Sequence, residues 1–169
     1  MLLRANTVLP ICSPAFAAGA VRVEGGRITA VAGAADLRPL PGEEVLDLGE
    51  TMLLPGLINA HCHLDYSTLR NAVAPQASFT EWVQRLNSIK RQLSPEDILE
   101  AIGRGYAEAQ QFGTTTVCSM AAFPDLLPRL GCAPLRTWWF YEMIDIRHRI
   151  TSEELVAGAL GFFADNTDP

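Results

Sequence analysis

No cluster of basic side chains interrupts this sequence. Its 13 lysines and arginines are scattered among 19 acids, for a formal charge of −6, and contacts to a phosphate backbone require a basic patch, which argues against a nucleic-acid partner. No apolar run approaches the roughly 20 residues of a membrane span. The opening MLLRANTVLPICSPAFAAGA imitates a secretion signal, but Asn6, Thr7 and Pro10 break its apolar stretch and the alanines run into a strand pattern. We read it as structure, and expect a cytoplasmic protein with no membrane partner. No C-x-x-C occurs among Cys12, Cys62, Cys118 and Cys132; their wide spacing favours reduced, buried thiols over a disulfide framework. Internal repeats and low-complexity segments are also missing. Histidine is scarce, yet two of the three, His61 and His63, stand one residue apart.

What is present suffices for a core: 49% of residues are hydrophobic, and the length suits one domain or slightly more. The pattern changes near residue 50. Before it the chain reads as short strands over 2–9, 19–23, 27–31 and 45–48, with AVRVEGGRITAV alternating across a Gly25-Gly26 hairpin turn. After it, strands alternate with helices. Phe79, Trp82, Val83, Leu86, Ile89 and Leu93 follow the spacing of an amphipathic helix over 79–93. Ser94-Pro95-Glu96-Asp97 opens a second helix, with Ser94 as N-cap and Asp97 at the capping-box position, and Gly113 closes it. TTTVCSM reads as a strand over 114–120, residues 124–130 as a short helix, LRTWWFYEMIDI as a long strand over 135–146, and TSEE as the cap of a helix running to about Ala164. Strands alternating with helices make parallel βαβ units. A (β/α)8 TIM barrel takes about 250 residues and gathers its ligands at the C-terminal ends of its strands; residues 51–169 supply the first part of one.

The stretch LPGLINAHCHLD over 54–65 carries the chemistry. Side chains at i and i+2 of a strand share a face roughly 7 Å apart, so His61 and His63 can converge on one ion. A chance pair on a solvated strand has the same spacing, and the pair alone leaves both readings open. The β-layer, then LLPGLINAHCHLDYSTLR, then FGTTTVCSM, resembles the N-terminal portion of the amidohydrolase superfamily, in its aminohydrolase and chlorohydrolase branch. The resemblance spans nearly the whole chain, and its specific core is PG-x-x-x-x-H-x-H followed by G-T-T-T. Within that branch, NAHCHLDYSTLR and SFTEWV resemble aminodeoxyfutalosine deaminases, which act on a 6-aminopurine nucleoside.

This resemblance implies an α/β fold: the first three βα units of a (β/α)8 barrel over 51–169, preceded over 1–50 by the N-terminal part of a β-sandwich. It implies that His61 and His63 are two ligands of one divalent metal, zinc first, with iron or nickel also compatible with imidazole. The expected reaction is hydrolytic deamination of an aminopurine nucleoside-like small molecule by a metal-bound hydroxide. The family's remaining ligands, a His and a Glu from the fifth strand, a His from the sixth and an Asp from the eighth, belong to strands beyond this sequence. No residue here inherits a catalytic role, and the chain is expected to be an N-terminal fragment, inactive alone. Its expected partner is the remaining barrel half, as a second chain or C-terminal fragment, or a further copy in a homo-oligomer. The alternative is a non-catalytic half-barrel that pairs with another chain as a binding or structural module.

Three residues are candidates for substrate contact. Asp65, two residues beyond His63, can face the same mouth or cap the next turn. Trp82, like Tyr66, can line a pocket or belong to the core. Glu142 and Asp145 lie near the end of the third barrel strand, where barrel sites form, with Glu142 the better candidate. Cys62 is expected to point away from the histidines and pack against a helix, and His148 to be a solvated loop residue.

Overall fold

Residues 1–143 and 151–166 are described by the computed structural model, in which the chain divides into two units, Met1–Gly56 and Leu57–Pro169. In the first, β1 (Leu2–Val8), β2 (Phe16–Glu24), β3 (Arg27–Gly33), β4 (Val45–Asp47) and β5 (Met52–Leu53) form one five-stranded sheet in the order β3-β2-β1-β4, with β5 also paired to β1. β2 is antiparallel to β1 and β3, whereas β4 and β5 run parallel to β1. Gly25 and Gly26 turn the β2–β3 hairpin at φ values of 56° and 74°, which the twist of a two-residue hairpin demands and glycine adopts without a Cβ clash. Ala20 and Val21, neighbours on β2, point to opposite faces; Ala20 packs with Leu2 and Leu37, Val21 with Ala5 and Val8. Arg22 grips the Glu43 carboxylate through Nε and Nη2 at 2.8 and 3.0 Å, fixing the loop before β4 to β2. The unit reaches Gly56 rather than stopping near residue 50 because Met52–Leu53 pairs with Thr7 and Val8.

In the second unit β6 (Leu57–Cys62), β7 (Thr114–Ala121) and β8 (Arg136–Tyr141) form a parallel sheet in that order. A 3₁₀ turn over Leu64–Leu69, α1 (Phe79–Lys90) and α2 (Pro95–Gln111) join β6 to β7; a second 3₁₀ turn over Pro124–Arg129 leads to β8, and α3 (Ser152–Asn166) follows. The Ser94–Asp97 capping box forms in both directions. α2 lays Ile98, Ile102 and Tyr106 on Val117 of β7 and on Leu64, and this is the core of the unit. Tyr106 also shares a hydrogen bond of 2.8 Å with Thr137 of β8. Gly105 permits the close crossing: a Cβ there would fall against Ser67 Oγ and lie 3.2 Å from the Leu64 carbonyl oxygen. On the other face Ile58, Trp138 and Phe140 are 68%, 60% and 47% exposed among the described residues.

Several boundaries differ from the sequence pattern. The helix expected over 79–93 ends at Lys90, and the segment expected as a helix over 124–130 winds as 3₁₀ around Pro128. The strand expected over 135–146 runs from Arg136 to Tyr141; residues 144–150, with Asp145 and His148, lie outside the described residues. Cys12 and Cys132 are exposed rather than buried. Among the described residues no helix is long and apolar enough to cross a membrane.

Candidate functional site

β6 is not a regular strand. Its register against β7 slips between Asn59 and Cys62, accommodating one extra residue, and bulges of this kind re-aim side chains at strand ends. Cys62 turns toward the α2 core, its thiol 3.5 Å from the Cys118 carbonyl oxygen. His63 has left the strand, at φ −128° and ψ 86°, as the residue that opens the 3₁₀ turn. The two imidazoles are nevertheless neighbours, their centroids 5.5 Å apart and their planes 62° from parallel. His61 is exposed. His63 is half-buried, and its Nδ1 is buried without a hydrogen bond. Burial pushes the His63 pKa below its ordinary value, opposed by the charge of Glu142 and reinforced by His61 and Lys90, which favours the neutral imidazole that metal ligation needs.

Asp65 follows in the turn, only 4% exposed. It does not cap the turn, and neither carboxylate oxygen has a hydrogen-bond partner. Burial pushes its pKa up to about 6, opposed chiefly by Lys90; the backbone amides of Asp65 and Ala122 favour the ionised form without reaching hydrogen-bond geometry. Orphaned buried acceptors are costly, so the Asp65 carboxylate is suited to a cation or a donating ligand.

Tyr66 and Lys90 pack beside His63. The Tyr66 ring stacks on His63 at 4.7 Å and 12°, and its hydroxyl accepts a hydrogen bond from Lys90 Nζ. Lys90, the last residue of α1, holds its ammonium 4.2 Å from the Tyr66 ring centroid and 5.4 Å from that of Phe123. Burial lowers its pKa, while Asp65 and Glu142 oppose the shift. Glu142 comes in just after β8, its amide donating to the Ala121 carbonyl at 3.3 Å, and its charge is felt at His63, Asp65, Tyr66 and Lys90. The C-terminal ends of three adjacent strands therefore meet at one cluster.

The structure sets His61 beside His63 and brings the charge of Glu142 within reach of His63 and Asp65. Trp82 is 39% exposed and stacks on Phe79 at 5.8 Å; on α1 it stands eight residues before Lys90, about 12 Å along the axis. Sequence reasoning missed Lys90, whose only signal was a cation at the end of an amphipathic helix. Among the described residues no group of three or more His, Cys, Asp or Glu side chains is arranged to hold a metal ion.

The amidohydrolase family model matches residues 52–144, more than half of the sequence. The chain belongs to the amidohydrolase family. The match takes in His61, His63, Asp65, Lys90 and Glu142. This amidohydrolase is 32% identical over 111 residues to the 5-methylthioadenosine/S-adenosylhomocysteine deaminase of Lawsonia intracellularis, covering 64% of this chain and 25% of the relative. It thus spans about a quarter of the length of these curated relatives. Its fold is shared with the zinc complex of atrazine chlorohydrolase from Arthrobacter aurescens TC1, at 19% identity and a TM-score of 0.72 over 99% of this chain and 43% of the other. The Helicobacter pylori aminofutalosine deaminase bound to methylthio-coformycin is similar at 20% identity and a TM-score of 0.68, over 99% and 41%.

Proposed function

We propose that the complete protein is a cytoplasmic metal-dependent hydrolase that deaminates an aminopurine nucleoside-like small molecule, and that this chain supplies the first three βα units of its (β/α)8 barrel together with part of a β-sandwich. The observation that carries the reading is the pair of adjacent His61 and His63 imidazoles at the end of β6, followed two residues on by an Asp65 carboxylate buried without hydrogen bonds. The deaminase relatives and the zinc held by a protein of the same fold support it.

On this reading His61 and His63 are two of the ligands of one divalent ion, zinc before iron or nickel. When bound, the ion supplies a hydroxide nucleophile near neutral pH. Asp65 and Glu142 face the same mouth, and their carboxylates are placed to accept hydrogen bonds from amino or hydroxyl groups of a substrate. The remaining ligands come from the rest of the barrel, whether on the same polypeptide or on a second chain.

Ammonia assay and loss of aminopurine absorbance over a panel of adenosine-like nucleosides test the reaction with the complete, metal-replete protein. Release of one ammonia per nucleoside is the expected result. If every aminopurine is left untouched while a cyclic amide is opened or a chlorinated ring is hydrolysed, the deaminase reading fails and the hydrolase reading stands.

A further inference from the structure

We infer that Lys90 is a positioning residue for the His63 imidazole and acts through Tyr66; the inference rests on the reading of His63 as a metal ligand. Residues three apart in a 3₁₀ turn eclipse one another, so the turn opened by His63, closed by the Tyr66 amide on the His63 carbonyl at 3.1 Å, sets the Tyr66 ring on the imidazole at 4.7 Å. Stacking alone fixes neither ring, because an aromatic side chain can slide or swing about its own bonds. Tyr66 is fixed at its far end: its hydroxyl accepts from Lys90 Nζ, and the same ammonium lies 4.2 Å from its ring centroid. Lys90 is itself held by its place at the end of α1, where a cation complements the exposed carbonyls, and by the charges of Asp65 and Glu142. His63 has no hydrogen bond at Nδ1 to orient it. Ring orientation usually comes from such a bond; here the stacked and tethered tyrosine takes its place.

Removing an outer partner of a metal ligand weakens binding by about 10- to 100-fold. In the complete protein, Zn²⁺ affinity measured by competition with a chromophoric chelator is expected to fall about tenfold in Lys90→Met and in Tyr66→Phe. The double variant should be no weaker than the worse single one, since both changes cut the same link. Lys90→Arg, which keeps a cation and a donor, should recover most of the affinity. The visible spectrum of the Co²⁺-loaded protein should shift in Lys90→Met and in Tyr66→Phe, a change that lost packing elsewhere would not produce. Unchanged affinity and spectrum in Lys90→Met, single effects that add in the double variant, or no recovery in Lys90→Arg would each overturn the inference. If Lys90→Met does not fold, Tyr66→Phe, which removes one oxygen, decides the matter by the same two measurements. His63→Ala separates the claims: retention of a full equivalent of metal defeats the ligand reading itself, whereas loss of metal in His63→Ala with an unaltered Lys90→Met defeats only the role of Lys90.

Discussion

At the scale of single residues, the molecule treats its buried acids in two ways. Glu43 lies in the fork of Arg22 and accepts from the Leu40 amide, and these hydrogen bonds hold its pKa down to about 2. A carboxylate with a lowered folded-state value stabilises the fold fully above its unfolded value near 4.5 and progressively less as pH falls from there through about 2. Glu43→Gln is therefore expected to lower the urea midpoint near neutral pH, and the gap to wild type should close between about pH 4.5 and 2. A gap that stays constant across that range, followed by circular dichroism, would contradict the assignment. Asp65 is the opposite case, a carboxylate buried with no hydrogen bond, and such a group persists where something else rewards it. In the sequence it could face the mouth or cap the next turn, and spacing left both open; the structure puts it inside a 3₁₀ turn with no cap hydrogen bond. Tyr66 was visible as an aromatic but not as the ring stacked on His63, and Lys90 was not visible as a site residue, because the contact closes a loop of 24 residues that no local pattern encodes. Trp82 looked the more suggestive residue on α1, and geometry leaves it with Phe79.

At the scale of elements, the helices were the most legible parts because their periods and caps are local. Ser94 and Asp97 form the reciprocal box that their spacing announces, and Ser94→Ala should cost about 1 kcal/mol in chemical denaturation while leaving metal content unchanged; no change in stability would mean that the box contributes nothing. The region after His61 was less legible, since a 3₁₀ turn has too few residues to show a period and the register slip in β6 has no composition signal. That turn depends on α2 passing close by. Gly105→Ala would favour the helix by about 0.5–1 kcal/mol on propensity alone, yet its Cβ would press on Ser67 and Leu64, where overpacking costs about 1–3 kcal/mol. A net loss of stability is expected in a urea titration, together with weaker metal binding because the displaced turn carries His63; a stabilised variant with unaltered metal affinity would show that the crossing has slack.

At the scale of the whole molecule, the three-stranded sheet carries α2 on one face, and on the other Ile58, Trp138 and Phe140 are exposed among the described residues. Contiguous apolar surface of this kind marks a place where further protein packs. The polypeptide of 169 residues on its own is therefore expected to associate, with a further copy or with the further barrel strands proposed above; a stable, monodisperse particle of 18.4 kDa in light scattering would instead favour a self-sufficient module. We propose that the end of β6 is half of a metal site, and elemental analysis of the complete protein decides it. Wild type is predicted to carry one equivalent of a divalent metal, and His61→Ala and His63→Ala to lose it, because the remaining ligands cannot complete the coordination that either imidazole leaves short. A full equivalent retained in both variants would contradict the account.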